Sequence, residues 1–421
     1  MLLGAVADDL TGATDLSLMI ARQGMKTVQV IGALPDAASF GKADAVVVAL
    51  KSRTIPKADA VRMSLAAATA LQSAGAKQLF FKYCSTFDST DEGNIGPVAE
   101  ALLDLTGSDL TIVCPAFPAA GRSVYKGYLF VGDVLLSESP MKDHPLTPMR
   151  DSNLVRVLQR QVRGKVGLIP LEIVEQGAAA LGAAFAKARA AGERFVVVDA
   201  VRDAHLRVLG AACADFALIT GGSGVAMGLP DNFRQSGGLT TSAPAATMEA
   251  PEGRSVILAG SCSTATRGQI QAAIDAGLAA LRLDALSIAA GETTAQAVVD
   301  WVKATSGPLP PLIYSSADPA VVGQVQQKLG ATQAGEIVET LLAEVGRRLL
   351  ASGFTRFLIA GGETSGAVVG ALGVSALRIG PEIDPGVPWT RSLGNPDVAL
   401  ALKSGNFGAP DFFLKAWSKL S

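Results

Sequence analysis

Two adjacent aspartates, Asp8 and Asp9, follow the first apolar segment of the chain, Leu2 to Ala7. The apolar segment predicts a buried β-strand, and open α/β sheets bind ligands at the carboxyl ends of their strands. Carboxylates in that position can accept hydrogen bonds from polyol hydroxyls, and one can take the proton of a hydroxyl that attacks a phosphate. We therefore predict catalytic roles for Asp9 and Asp8. The alternative is that one of them only caps the helix beginning near Gly12.

Four further polar residues come after later predicted strands, where they would share the ligand-binding edge of a sheet. Cations at this edge suit a small carboxylate substrate, because an arginine can contact a carboxylate through two parallel hydrogen bonds. The alternative for each is a solvated or ion-paired loop charge. The hydroxyl-rich segment from Lys82 to Thr90 could line a polar pocket or simply satisfy its own turn. The residues predicted to bind substrate are Arg53, Lys82, Asp88 and Arg122.

Glycine-rich turns follow three predicted strands in the second half of the chain, at Ala259–Ser261, at Gly361–Gly366 and around Gly405. Backbone amides at a helix N-terminus, flanked by small hydroxyls, form an anion site. The segments lack the GxxxxGK[ST] pattern, so none of them is a P-loop. Each turn alone could serve only tight helix–strand packing. Together they predict a nucleotide site.

A fourth glycine-rich segment, with Gly222 and Gly224 after a predicted strand, resembles a dinucleotide-binding fingerprint. Such a motif must open a helix and be followed by a further strand that ends in an acid. After Gly228 the chain instead enters a segment without periodicity. An NAD(P)-dependent oxidoreductase therefore remains a disfavoured alternative, as does a sugar-acid sensor without catalysis.

The order of elements predicts two doubly wound α/β domains with a ligand cleft between them. Unbroken apolar runs such as Ala45–Leu50 are typical of parallel strands covered on both faces. The segment 235–253 is rich in Gly, Ser, Thr and Pro, so we predict a linker there. It would join a domain at 1–234 to a domain at 254–421, and the proline-rich segment 381–389 is predicted to be a loop.

Composition excludes several classes of protein. With 36 basic and 38 acidic residues the formal net charge is −2, which offers no electrostatic footprint for nucleic acid or an anionic membrane. The four cysteines are isolated and there are two histidines, so no metal held directly by protein ligands is predicted. Isolated cysteines, together with the lack of a signal peptide or an apolar span, predict a cytoplasmic protein.

Over nearly its whole length, the sequence resembles the four-carbon acid sugar kinase family, most closely the members that phosphorylate 3-oxo-tetronate. No single segment carries the resemblance, but the set is specific. The segments are 7–13, 81–90, 127–139, 198–200, 260–263, 361–365 and 401–408.

The resemblance implies a sugar-acid-binding N-terminal domain and a nucleotide-binding C-terminal domain. It implies phosphorylation of 3-oxo-tetronate at the 4-hydroxyl by ATP, with Mg²⁺ bridging the phosphates. D-threonate and D-erythronate remain alternative substrates, and a homodimer is expected. Relatives commonly carry Ser where this chain has Ala259, so a contact there would be through the backbone. The implied nucleotide-binding residues are Ala259, Gly260, Ser261, Gly361, Gly362, Glu363, Thr364 and Gly405.

Overall fold

A computed structural model describes residues 1–32, 43–144, 146–240, 248–316 and 319–421. The chain divides into two compact units, Met1–Pro244 and Ala245–Ser421. Of the predicted linker 235–253, residues 241–247 lie outside the described residues.

The first unit alternates strands and helices. Its elements are β1 (Leu3–Ala7), α1 (Leu10–Arg22), β2 (Thr27–Ile31), β3 (Ala45–Ala49), α2 (Lys57–Ser73), β4 (Gln78–Lys82), α3 (Ile95–Leu105), β5 (Thr111–Cys114), β6 (Arg122–Tyr125), β7 (Tyr128–Val131), β8 (Val134–Leu135), α4 (Leu154–Gln159), β9 (Lys165–Ile169), α5 (Leu171–Val174), α6 (Ala178–Ala190), β10 (Glu193–Val198), α7 (Asp203–Ala212), β11 (Leu218–Gly221) and α8 (Leu229–Gln235).

Within the described part of this unit the main sheet runs β2-β3-β1-β4-β11-β5-β10-β9, and every pairing is parallel. All residues of β1 and β3 are buried, as expected for strands covered on both faces. Strands β6, β7 and β8 form a separate antiparallel sheet. In register, Ala7 of β1 pairs with Ala49 of β3 and Lys82 of β4, so the three strands end level with one another.

The second unit has the same alternation. Its elements are β12 (Arg254–Ala259), α9 (Thr264–Asp275), β13 (Ala280–Arg282), α10 (Ala285–Ala289), α11 (Ala295–Ala304), β14 (Leu312–Tyr314), α12 (Pro319–Leu329), α13 (Ala331–Ala351), β15 (Phe354–Ala360), α14 (Gly362–Ala371), β16 (Ala376–Asp384), β17 (Val387–Ser392), β18 (Ala399–Lys403) and α15 (Phe412–Lys415).

Its strands follow the order β13-β14-β12-β15-β18-β17-β16, parallel as far as β18 and antiparallel through β17 and β16. The segment 381–389, predicted to be a loop, instead comprises the adjoining ends of β16 and β17 and the turn that joins them. The pairing of this hairpin is irregular on both sides of Glu382, close to the prolines that cannot donate to it. Trp389 of β17 is fully buried and donates from Nε1 to the Ala416 carbonyl at 2.7 Å.

Strand register also aligns the glycine turns of the second unit. Ala259 at the end of β12 pairs with Ala360 at the end of β15, which pairs in turn with Lys403 at the end of β18. The turns that follow these strands therefore begin at the same sheet edge. Among the described residues, no helix is long and apolar enough to cross a membrane.

Candidate active site

Arg53 is the centre of a cluster of acids at the carboxyl edge of the first unit. It lies on the loop after β3, and Asp8 lies at the end of the neighbouring β1. The guanidinium donates to both oxygens of Asp8, from Nε at 2.9 Å and from Nη2 at 2.8 Å. Its Nη2 is also 3.0 Å from Asp9, and its Nη1 is 3.4 Å from Asp88. Arg53 therefore already holds three carboxylates, an arrangement that orients acids before any substrate binds.

Asp9 is the N-cap of α1 and is also the more accessible of the paired acids. Its Oδ1 accepts a hydrogen bond from the Gly12 amide at 2.9 Å, and its Oδ2 accepts one from the Thr11 hydroxyl at 3.2 Å. The capping role considered for one of these aspartates is thus real for Asp9. Its side chain nevertheless remains 24% exposed, against 6% for Asp8. Asp9 can therefore cap the helix and still accept a hydrogen bond from the hydroxyl of a bound substrate.

The electrostatic environment shifts the pKa values of Asp8 and Asp9 in opposite directions. Burial raises the pKa of Asp8, and the lowering effect of Arg53 only partly offsets it. Burial also acts on Asp9, but Arg53, Lys82 and the hydrogen bonds from Gly12 and Thr11 together hold its pKa below the usual value. Asp9 is therefore ionised at neutral pH, as a hydrogen-bond or proton acceptor must be.

Asp88 lies in a strained loop after β4. The backbone φ angles of Phe87 and Asp88 are +65° and +41°, in the left-handed region that side chains avoid. Such strain costs about 1–3 kcal/mol per residue and concentrates at functional sites. The Thr86 hydroxyl donates to Asp88 at 2.7 Å, which fixes the carboxylate. Asp88 was predicted from the sequence to bind substrate, but no sequence pattern indicates its left-handed backbone conformation.

Lys82 is buried at the end of β4 beside the first turn of α1. Its Nζ donates to the Tyr83 carbonyl at 2.8 Å. A Cβ placed on Gly12 would lie 2.8 Å from this nitrogen and 2.3 Å from Oδ1 of Asp9. The ammonium and the Asp9 carboxylate thus approach the helix where a glycine leaves room, which puts a cation next to the paired acids.

His144 is a neighbour of this cluster that sequence reasoning did not propose. Its Nδ1 accepts a hydrogen bond from the Thr147 amide at 3.1 Å, so the neutral ring carries its proton on Nε2. Burial lowers its pKa; the charge of Asp88 raises it by a smaller amount, and the charge of Arg53 lowers it further. The imidazole is therefore neutral at pH 7 and within electrostatic range of the acid cluster.

Asn94 holds the loop that carries Arg53. It is buried, and its Nδ2 donates to three carbonyls, those of Ser52 at 2.9 Å, Arg53 at 3.2 Å and Ile55 at 2.8 Å. Nothing in its sequence context distinguishes it from an ordinary turn asparagine, so no pattern in the sequence indicates this role. The side chain fixes the direction from which the guanidinium reaches the acids.

We expect Asn94→Ala to lower kcat/KM for the acceptor substrate at least tenfold while leaving the KM for nucleotide unchanged. The unfolding free energy should fall by about 1–3 kcal/mol, because three carbonyls lose their donor. Asn94→Asp should be worse, since a carboxylate would face the same carbonyls. Steady-state kinetics and urea unfolding measure both effects.

Asn232→Ala is the matched control for that experiment. Asn232 lies on α8 and donates from Nδ2 to the Gly210 carbonyl at 2.9 Å. Its loss should reduce stability without changing kcat/KM. Equal kinetic effects from the two variants would contradict a specific role for Asn94.

Arg122, predicted to bind substrate, lies on β6 of the small antiparallel sheet and donates to the Ala120 carbonyl. Its contact with substrate stays a prediction. The described residues contain no group of three or more His, Cys, Asp or Glu side chains arranged to hold a metal ion. In the cluster around Arg53, the three carboxylates already have a cationic partner in the guanidinium.

The three glycine turns of the second unit pack against one another. A Cβ on Gly260 would lie 2.1 Å from the Thr364 hydroxyl, and one on Gly405 would lie 2.4 Å from the Ser261 hydroxyl. Gly361 has a φ of +128°, which only glycine adopts without strain. These glycines are therefore required by close approach of the backbone, and they bring together the turns predicted to bind nucleotide.

The backbone amides of these turns differ in availability. Those of Gly260 and Ser261 donate to the Ala360 carbonyl, so they are already used within the protein. Gly362 begins α14, where the first amides of a helix have no partner in the helix itself. For the Gly405 amide, the described residues provide no acceptor. The second and third turns thus offer donors for an anion.

Glycines of the segment after β11 serve packing instead. A Cβ on Gly222 would lie 2.8 Å from the Pro115 carbonyl oxygen, one on Gly224 2.7 Å from that of Ala116, and one on Gly228 2.7 Å from that of Arg207. All three glycines are buried. Close packing against the protein's own backbone therefore explains why glycines are needed here, and no bound dinucleotide has to be invoked.

Two family models match the chain. One describes a sugar-binding N-terminal domain and matches residues 3–229. The other describes a nucleotide-binding C-terminal domain and matches residues 256–413. The acid cluster lies within the residues matched by the first model, and the three glycine turns lie within those matched by the second.

Curated relatives match over almost the full length of both chains. A 3-oxo-tetronate kinase from Cupriavidus necator is 56% identical over 422 residues, covering 100% of this chain and 97% of its own. The enzyme of the same name from Burkholderia multivorans is 55% identical over 415 residues, covering 99% and 96%. That from Salmonella typhimurium is 43% identical over 418 residues, covering 98% of each chain.

Two solved structures share the fold. One, from Salmonella typhimurium LT2, carries a provisional description as a tRNA synthase; it is 41% identical, with a TM-score of 0.87 and coverage of 100% of this chain and 99% of its own. The other, a Haemophilus influenzae protein, is 42% identical, with a TM-score of 0.78 and coverage of 99% and 100%.

Proposed function

Because the chain belongs to the four-carbon acid sugar kinase family, we propose that it phosphorylates 3-oxo-tetronate at the 4-hydroxyl with ATP, giving 3-oxo-tetronate 4-phosphate and ADP. The observation that carries this proposal is full-length identity of 53–56% to relatives named 3-oxo-tetronate kinase. The acid cluster supports it, since ionised and accessible Asp9 suits a hydroxylated acceptor.

In this proposal Asp9 accepts a hydrogen bond from the reacting hydroxyl and takes its proton as transfer proceeds. Asp8 and Asp88, held by Arg53, lie beside it, where they can accept a hydrogen bond from the one remaining hydroxyl of the acceptor. Lys82 provides the cation for the substrate carboxylate, because its ammonium is less fully engaged than the guanidinium of Arg53. Arg122 remains a further candidate for that contact.

The glycine turns of the second unit would hold the nucleotide. Gly362, Glu363, Thr364 and Gly405 are the proposed contacts through their amides and the Thr364 hydroxyl. The Gly361 amide already donates to the Lys403 carbonyl at 2.8 Å, so Gly361 would shape the wall beside them together with Ala259, Gly260 and Ser261. Mg²⁺ would arrive with the phosphates, since it keeps water and phosphate oxygens as most of its ligands and needs one or two carboxylates. Glu363 is the carboxylate that these turns offer. The bound ion would neutralise phosphate charge.

Four free cysteines support a cytoplasmic location, because oxidising compartments favour disulfides. The expected homodimer stays a prediction, which sizing of the purified protein measures.

The experiment that tests the proposal is ADP release measured against a panel of four-carbon acids. We expect kcat/KM to be highest with 3-oxo-tetronate and lower, by an order of magnitude or more, with D-threonate and D-erythronate. Turnover preferring either of those acids would replace the proposed substrate by another within the family. ADP release with none of them would overturn the kinase proposal.

A fluorescence titration with NADH tests the oxidoreductase alternative. We expect no saturable binding, because the glycines at 222, 224 and 228 already contact protein backbone.

A further inference from the structure

Lys403 is a fully buried lysine at the end of β18, directly before the turn that contains Gly405. Its Nζ donates to the Thr266 hydroxyl at 2.9 Å, the Ser404 carbonyl at 3.0 Å and the Gly405 carbonyl at 2.9 Å. Among the described residues no carboxylate pairs with it. Burying an ammonium without a counter-charge is costly, so a lysine at this position points to a role beyond packing.

The Gly405 carbonyl is held from three sides. Besides Lys403, it accepts from the Ser263 hydroxyl at 2.5 Å and from the Thr266 hydroxyl at 2.9 Å. These hydroxyls lie at the start of α9, so the turn after β18 is tied to the turn after β12. The orientation of the peptide group following Gly405 is therefore fixed.

Fixing these two carbonyls also fixes two amides. In a trans peptide the C=O and N–H bonds point in opposite directions. Because Ser404 and Gly405 both direct their carbonyls at the ammonium, the N–H groups of Gly405 and Asn406 point away from it. Neither amide has an acceptor among the described residues. Successive amides with a common direction form an anion-binding concavity.

We propose that Lys403 is a positioning residue of the nucleotide site, which aims the amides of Gly405 and Asn406 at a phosphate group. The inference rests on the proposed function in taking the anion to be a phosphate of ATP. It adds Asn406 as a backbone contact and Lys403 as the charge behind the turn.

Burial lowers the pKa of Lys403 to about 7, and the charged side chains of the adjoining turns, Arg267 on α9 and Glu363 on α14, are not among its causes. A phosphate on the far side of the turn favours the ammonium and so raises this pKa in the complex. Between the two pKa values, nucleotide binding takes up a proton. Affinity should therefore be greatest below the pKa of the free protein and fall as the pH rises above it.

The test is calorimetric titration of the full chain with a non-hydrolysable ATP analogue and Mg²⁺, from about pH 6 to pH 9, in buffers of different ionisation enthalpy. We expect the wild type to take up a fraction of a proton above about pH 7.5, where the Mg²⁺–nucleotide complex is fully ionised. Lys403→Met should weaken binding about tenfold or more at pH 6.5 and bind no additional proton. Its KM for nucleotide should rise while the KM for the sugar acid stays unchanged.

Gly405→Val separates this inference from the proposed site, because its side chain would meet the Ser261 hydroxyl. Nucleotide binding unaffected by Gly405→Val would overturn the nucleotide site itself. Binding abolished by Gly405→Val but unchanged in Lys403→Met at every pH would overturn the role of Lys403 alone. If Lys403→Met does not fold, the absence of proton uptake by the wild type overturns it.

Discussion

Asp9→Asn is expected to lower kcat about 10³-fold while leaving the Kd for nucleotide unchanged, since general-base catalysis contributes about 10²–10⁴. Asparagine is as good an N-cap as aspartate, so the bond to the Gly12 amide can persist. Arg53 keeps its two bonds to Asp8. The fold should therefore survive, and rapid-mix turnover measurements with calorimetric nucleotide binding report the chemistry alone.

Asp8→Asn provides the contrast, because Asp8 is buried and paired through both oxygens with Arg53. Asparagine there lacks the charge and the second acceptor oxygen, so the guanidinium loses one of its two bonds to this residue at a cost of about 1–3 kcal/mol, although Asp9 and Asp88 still pair with Arg53. We therefore expect a larger loss of unfolding free energy for Asp8→Asn than for Asp9→Asn. Near-normal turnover in Asp9→Asn would remove Asp9 from the reaction.

Gly12→Ala should reduce kcat/KM by about two orders of magnitude, although alanine favours helices. A helical glycine replaced by alanine ordinarily gains about 1 kcal/mol. Here the new Cβ would lie 2.3 Å from Oδ1 of Asp9 and 2.8 Å from Nζ of Lys82, so one of these groups must move. A shift of about 1 Å in the position of a catalytic group can lower the rate about 100-fold. Steady-state kinetics, with a circular dichroism melt to confirm folding, measure the effect.

Gly182→Ala is the matched control. Gly182 lies within α6, and a Cβ there would meet nothing within 4 Å. We expect a gain in stability of about 1 kcal/mol and no change in kcat/KM. Unchanged activity in Gly12→Ala would show that the first turn of α1 can shift without consequence for the reaction.

Much of this fold can be predicted from the sequence, because parallel strands buried on both faces give unbroken apolar runs. β1, β3 and β15 stand out in this way, and the acids and glycines that follow them mark the sheet edges. The segment 381–389, at the adjoining ends of β16 and β17, was wrongly predicted to be a loop, because Pro381, Pro385 and Pro388 disfavour a strand when the local sequence is considered alone. Tertiary pairing with β18 overrides that local preference.

The hydrogen bonds and ion pairs that side chains form within the two candidate sites could not be predicted from the sequence. The residue type of Arg53 predicted a contact with a substrate carboxylate, but only the loop geometry shows that it holds Asp8, Asp9 and Asp88 together. Asn94 and Lys403 act through backbone carbonyls, and such bonds leave no pattern in sequence. The strained conformation of Asp88 is likewise set by its surroundings.

The shared guanidinium of Arg53 has a consequence for how this enzyme could change during evolution. Groups that depend on one partner do not contribute independently, so substitutions at Asp8, Asp9 and Asp88 should show strong epistasis. A replacement tolerated in a relative can be harmful here unless its companions change with it. Divergence toward other acceptors is therefore expected to proceed by coordinated substitutions in this trio, with the arginine retained.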